Sequence, residues 1–155
     1  MVVPHNLVYP RRMRSRPGYT VIELSLVMLL ATMLFAAAAP GLAHGRNVIA
    51  VRAARAEVVA AAAAARSAAV MNGGASLLID TRTATAWIET HDGERIGLNR
   101  PLGSNYGVTI ESTRAEPVRI RYDALGVGRL ANASIRVRRG SVVAAITVSA
   151  YGRVR

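Results

Sequence analysis

Hydrophobic and polar positions follow three different rhythms along the 155-residue chain. After an opening stretch with Pro4, Pro10, Pro17 and a basic cluster, residues 24–45 contain no Asp, Glu, Lys or Arg. With residues 19–22 added, this run of mostly Leu, Val, Met, Phe and Ala is long enough, as a helix, to cross ~30 Å of hydrocarbon. Pro40 lies inside it, where the missing amide and the ring clash predict a bend or local melting, or else the end of the span. From residue 46 to 72 the rhythm is amphipathic. Ile49, Ala53, Ala56, Ala60, Ala63 and Val70 recur at helical spacing, while Arg46, Arg52, Arg55 and Arg66 mark more polar surface. The alanines of residues 60–65 have the highest helix propensity available, and Asn72-Gly73-Gly74 is a stop signal. The pattern predicts one long helix near residues 20–72, interrupted around Pro40, whose second half lays a small-residue face on a sheet.

Beyond Ala75 the period falls to two. Candidate strands are residues 76–80, 84–90, 106–112, 117–123, 134–138 and 142–149, separated by turn signals at Asp92-Gly93, Gly126-Val127-Gly128 and Arg139-Gly140. Short connections favour antiparallel pairing. In Val118-Arg119-Ile120-Arg121 and Ile135-Arg136-Val137-Arg138 the apolar residues share one face and the arginines the other. Val118, Ile120, Ile135 and Val137 are expected to face the helix, and Trp87 to lie in the core or at its rim. The class is therefore α+β: a long N-terminal helix, half transmembrane and half amphipathic, packed on an antiparallel β-sheet.

Composition narrows the chemistry. The absence of Cys removes disulfides, thiolate metal sites and thiol nucleophiles. His5, His44 and His91 are too scattered for a zinc cluster, and the serines lack a triad context, so no catalytic constellation, metal site or cofactor is expected. Asp92 and Glu94 beside His91 read as a solvated turn. The net charge is +11, and every basic residue is Arg. Arg11, Arg12, Arg14 and Arg16 precede the apolar run, which predicts a cytoplasmic N-terminus. Without them sixteen arginines face nine acids, a balance of +7 that attracts anionic partners or simply aids solubility.

Glu23 is the unusual residue of the first segment. A carboxylate within a membrane helix costs on the order of 2.5–3.5 kcal/mol at the bilayer centre and less near an interface. That acid, and an apolar stretch longer than a usual secretory h-region, argue against an ordinary signal peptide. Gly18-Tyr19-Thr20-Val21-Ile22-Glu23-Leu24, with basic residues before it and the apolar run after it, resembles the type IV prepilin cleavage motif. The resemblance implies cutting after Gly18 by a prepilin peptidase, N-methylation of Tyr19, and an assembly role for Glu23, fifth after the cut. Tyr19 departs from the usual Phe but keeps the ring. Pilin-like proteins commonly carry a Pro at the place of Pro40. The second half resembles, more loosely, the pseudopilin H and FimT-like branch, through Asp123-Ala124-Leu125-Gly126, the late hairpin and the ending Gly152-Arg153-Val154-Arg155.

These residues imply a leader (1–18), a transmembrane and assembly helix (19–45) and a pilin-like globular part (46–155). The expected protein is a minor pilin or pseudopilin, not an enzyme. It would sit as a single-pass protein of a bacterial inner membrane, its C-terminal domain outside the cytoplasm, and enter a type II secretion pseudopilus or type IV pilus. Its partners would be the peptidase/methylase and other pilin or pseudopilin subunits. The alternative is a DNA-binding minor pilin, with Arg119, Arg121, Arg136 and Arg138 on one sheet face and Arg153 and Arg155 on a mobile tail.

Overall fold

The computed structural model describes residues 18–114, 116–129 and 132–155, so the leader, apart from Gly18, lies outside the described residues. Helix α1 runs Val21–Asn72 and passes through Pro40 without a break, which corrects the expected interruption. The physical reason is local: Pro40 removes one hydrogen bond, while residues 36–39 are all Ala and hold the helix on that side. Gly73, with φ 72°, then ends it.

The chain forms two compact units that divide at this proline, one ending at Ala39 and the other being Pro40–Arg155. In the first, the large side chains from Val21 to Phe35 are exposed throughout, Val21 at 82% and Phe35 at 77%. Among the described residues α1 is the one helix long and apolar enough to cross a membrane, and none of that apolar window is buried.

In the second unit the strands are β1 (Gly74–Asp80), β2 (Thr85–Thr90), β3 (Arg95–Pro101), β4 (Thr109–Ser112), β5 (Val118–Asp123), β6 (Ala133–Arg139) and β7 (Val142–Val148). A short helix, α2 (Leu102–Tyr106), separates β3 from β4 and stands where the predicted strand 106–112 was to begin. Every pairing is antiparallel. The strands form two sheets rather than one, in the orders β3-β2-β1-β5 and β4-β6-β7. Strand β3 has no counterpart among the predicted strands. It is an edge strand, exposed at most positions, so burial imposes little alternation on its sequence.

One core joins α1 to both sheets. Val51, Ala54, Val58, Ala61 and Ala65 of the helix share it with Leu77, Ile79, Val118, Ile120, Ile135, Val137 and Ile146. The four strand residues expected to face the helix are fully buried there. The helix face is not the expected one: Ile49 is 69% and Val70 57% exposed, and Ala56, Ala60 and Ala63 are exposed too. The buried stripe lies one position on, from Ala50 and Val51 to Ala68 and Ala69. An alanine run is apolar on every side, so its period cannot distinguish adjacent faces. Trp87 is half-buried on the other side of β2 from the core residues Ala86 and Ile88.

Candidate functional site

Gly18 and Tyr19 precede the first turn of α1, with Tyr19 90% exposed. Thr20 and Glu23 bond reciprocally. The Thr20 amide donates to Glu23 Oε2 at 2.9 Å, the Thr20 hydroxyl donates to the same oxygen at 3.1 Å, and the Glu23 amide donates to Thr20 Oγ1 at 3.2 Å. This is a capping box, which satisfies amides that a helix start leaves without intrahelical acceptors. Glu23 thus has a task within its own chain. The Thr-x-x-Glu spacing was the available signal for it, and Thr20 is the functional residue that the motif reading passed over.

The predicted arginine face divides. Arg119 and Arg121 lie on β5 in the four-stranded sheet, Arg136 and Arg138 on β6 in the three-stranded sheet. All four are exposed. Alternation sets the face a residue takes on its own strand, not the sheet that strand joins. Arg119 pairs with Glu89 at 3.4 Å and Arg138 with Glu111 at 3.8 Å, while Arg121 and Arg136 form no ion pair among the described residues.

The C-terminal residues are pinned, not mobile. Thr147 and Arg155 exchange backbone bonds of 3.0 and 2.9 Å, Val148 bridges Val154, and the Ser149 amide donates to Arg153 O at 2.8 Å. The turn closes where the Gly152 amide donates to Ser149 O at 2.9 Å. Gly152 O accepts from Arg66 Nη2 at 3.0 Å and from Tyr122 Oη at 3.2 Å, so α1 and β5 hold one carbonyl together. Burial pushes the Tyr122 hydroxyl above its ordinary pKa, with the nearby Arg66 charge opposing. Arg66 also sits 5.6 Å over the Tyr122 ring. Arg153 and Arg155 remain exposed on this docked strand.

The chain matches no family model, no curated protein and no solved structure. What each residue can do therefore rests on its own surroundings. Among the described residues no group of three His, Cys, Asp or Glu is placed to hold a metal ion. Three features stand out: an unburied apolar first stretch of α1 with a capped acid at its start, an Arg-bearing docked tail, and exposed arginines on both sheets. Gly128 adds a third hold on the tail, its amide donating to Tyr151 O at 3.0 Å, and neither it nor Arg66 and Tyr122 carries a sequence signal for that role, because their meeting is tertiary.

Proposed function

We propose that this protein is a minor pilin or pseudopilin, a structural subunit of a type II secretion pseudopilus or a type IV pilus, cut after Gly18 by a prepilin peptidase and methylated on Tyr19. The observation that carries this reading is the start of α1. Helix α1 begins at Val21, directly after Gly18-Tyr19-Thr20, with an apolar stretch none of which is buried and a single acid in its first turn. Apolar surface on that scale needs a second apolar surrounding, either a bilayer or the helices of other subunits. A subunit drawn from a membrane into a filament meets each in turn. On this reading the arginines of the leader keep the N-terminus in the cytoplasm of a bacterium, and the domain that follows α1 lies outside it.

Cutting after Gly18 leaves an ammonium at Tyr19. In a staggered bundle of such helices, Glu23 of one subunit can meet that ammonium on the next. The attraction is far greater in low dielectric than in water and offsets the desolvation of both groups. The capping bonds to Thr20 hold the carboxylate in place beforehand.

The test is the mass and N-terminal residue of the chain purified from membranes of a cell with an active prepilin peptidase. A chain beginning at methylated Tyr19 is expected, and one beginning at Met1 or near Gly41 overturns the reading. The assembly role is tested by Glu23→Ala. That variant is expected to be cut and inserted normally but to enter filaments at least about tenfold less than wild type. Normal incorporation would remove the assembly role.

A second reading, DNA binding by the same subunit, is favoured by one observation: Arg153 and Arg155 are held exposed on a docked strand, already ordered. Phosphate contacts made by such a strand carry no sequence preference and weaken with salt. The full chain in neutral detergent micelles is then expected to bind duplex DNA at low salt and to lose that binding in Arg153→Ala/Arg155→Ala.

A further inference from the structure

The uncharged run of α1 ends inside the second unit, at Gly45, and the charges that follow it are all positive until Glu57. Arg46, Arg52 and Arg55 are exposed on the helix, and none of them makes a hydrogen bond or ion pair among the described residues. Between Glu23 and Glu57 the chain has no acid, and Glu57 is itself paired with Arg100 at 2.5 Å. The β6–β7 turn stands at the same level of the helix. A Cβ added to Gly140 would lie 2.9 Å from Asn47 Nδ2, so the turn packs on α1 one residue after Arg46. Beside it Arg139 donates to Tyr106 O, a neutral acceptor that leaves the guanidinium charge in place. Arg138 is balanced by Glu111 at 3.8 Å. One end of the domain thus carries Arg46, Arg52 and Arg139 with no ion-pair partner among the described residues.

Depth along α1 decides what these charges meet. A helix rises ~1.5 Å per residue, so about 20 residues counted from Leu24 cross ~30 Å of hydrocarbon and reach Ala43. Arg46 then stands about 5 Å beyond the hydrocarbon, within the headgroup layer, and the Gly140 turn lies near that height. The Cα of Arg52 is about 14 Å out. Helical side chains lean toward the N-terminus, which here is toward the bilayer, and a long guanidinium side chain covers much of that distance. Arg55, at about 18 Å, lies beyond that reach. Guanidinium groups present paired donors that fit phosphate oxygens, and their attraction to an anionic surface extends over about a Debye length.

We propose that Arg46 and Arg52, with Arg139 beside them, form a collar that selects anionic phospholipid headgroups where α1 leaves the bilayer. The lipid phosphate supplies the counter-charge that this stretch of the chain lacks. The collar rests on the membrane-spanning part of the functional reading and needs neither cleavage after Gly18 nor filament assembly. A chain found to begin at Met1 would overturn the filament reading and leave this one intact.

The test is electron spin resonance of the full chain reconstituted in phosphatidylcholine vesicles at low salt, with spin-labelled phosphatidylglycerol or phosphatidylcholine as the probe. Lipid held at the protein surface gives a motionally restricted signal, so the two probes together read headgroup preference. Phosphatidylglycerol is expected to be enriched, and Arg46→Gln/Arg52→Gln to lower that enrichment by at least about threefold. The leader arginines are the same in every variant, so the difference belongs to Arg46 and Arg52. Arg153→Ala/Arg155→Ala removes the same charge from the docked tail, which Arg66 holds ~30 Å further along α1, and is expected to keep the wild-type enrichment. An equal loss in the tail variant would assign the preference to net charge and overturn the proposal, as would unchanged enrichment in Arg46→Gln/Arg52→Gln. A chain that alkaline carbonate strips from the vesicles overturns the spanning reading and the collar together. A retained chain without headgroup preference overturns the collar alone.

Discussion

Gly152 and Gly128 face each other where the C-terminal turn meets β5. A Cβ built on Gly152 would stand 2.6 Å from Tyr122 Cε1 and 3.0 Å from Gly128 Cα. Its φ of 75° also lies where L-residues are strained. Gly152→Ala therefore combines overpacking with backbone strain and is expected to lower stability by about 2–4 kcal/mol. Gly93 separates the two causes, because its φ is 86° but nothing lies within 4 Å of an added Cβ. Gly93→Ala should cost only about 1 kcal/mol. Urea unfolding of both variants checks the difference, and equal losses would show that the contact with Tyr122 contributes nothing. The Gly-Arg-x-Arg ending was visible in the sequence as a basic tail. That Gly152 is a packing residue was not, since Tyr122 and Gly128 are 30 and 24 positions away.

At the scale of elements, α1 shows the limit of periodicity. The helix, its stop at Asn72-Gly73 and the inward residues of β5 and β6 were all legible, because each carried a strong contrast of apolar against Arg, or Gly against Ala. The buried face of α1 was not, because alanines on all sides leave Val51 and Val58, seven residues apart and 1% exposed, as nearly the only markers. The assignment can be tested by enlarging one alanine on each side. Ala61 is fully buried and Ala63 exposed. Ala61→Leu is expected to destabilise by about 1–3 kcal/mol and Ala63→Leu to change stability by less than about 0.5 kcal/mol. The reverse order would restore the face that spacing alone suggested. Helix α2 and strand β3 escaped prediction because one is a single turn and the other an exposed edge.

For the molecule as a whole, the nine acids are few against twenty basic residues, so each fixed carboxylate matters to its acid stability. Thr83 Oγ1 donates to Asp80, chiefly, and the Arg82 amide adds a second bond; together they hold that carboxyl below its ordinary pKa. Asp123 is held down likewise, first by the Val127 amide and then by Leu125 and Arg129. A carboxylate whose folded pKa is depressed stabilises the fold above its unfolded pKa. That contribution is lost as pH falls through the folded value. The midpoint of urea unfolding should therefore fall on acidification through and below the ordinary Asp range. The gap between wild type and Asp123→Ala should close over the same interval. A gap unchanged at low pH would mean that the charge of Asp123 is irrelevant and only its shape matters.

By itself the sequence determined the composition-driven features: an apolar helix that no water-facing surface accounts for, the Gly18-Tyr19 and Glu23 spacing, the α+β class, and which residues of β5 and β6 point inward. Each depends on contrast between neighbours in the chain, and local sterics and hydration suffice to read it. Only the tertiary structure decided the division into two sheets, the buried stripe of α1, the docking of the tail through Arg66, Tyr122 and Gly152, and the packing of the β6–β7 turn on Asn47. These depend on which distant segments meet. Strand pairing and core packing settle that through contacts whose partners lie tens of residues apart, and no local pattern encodes them.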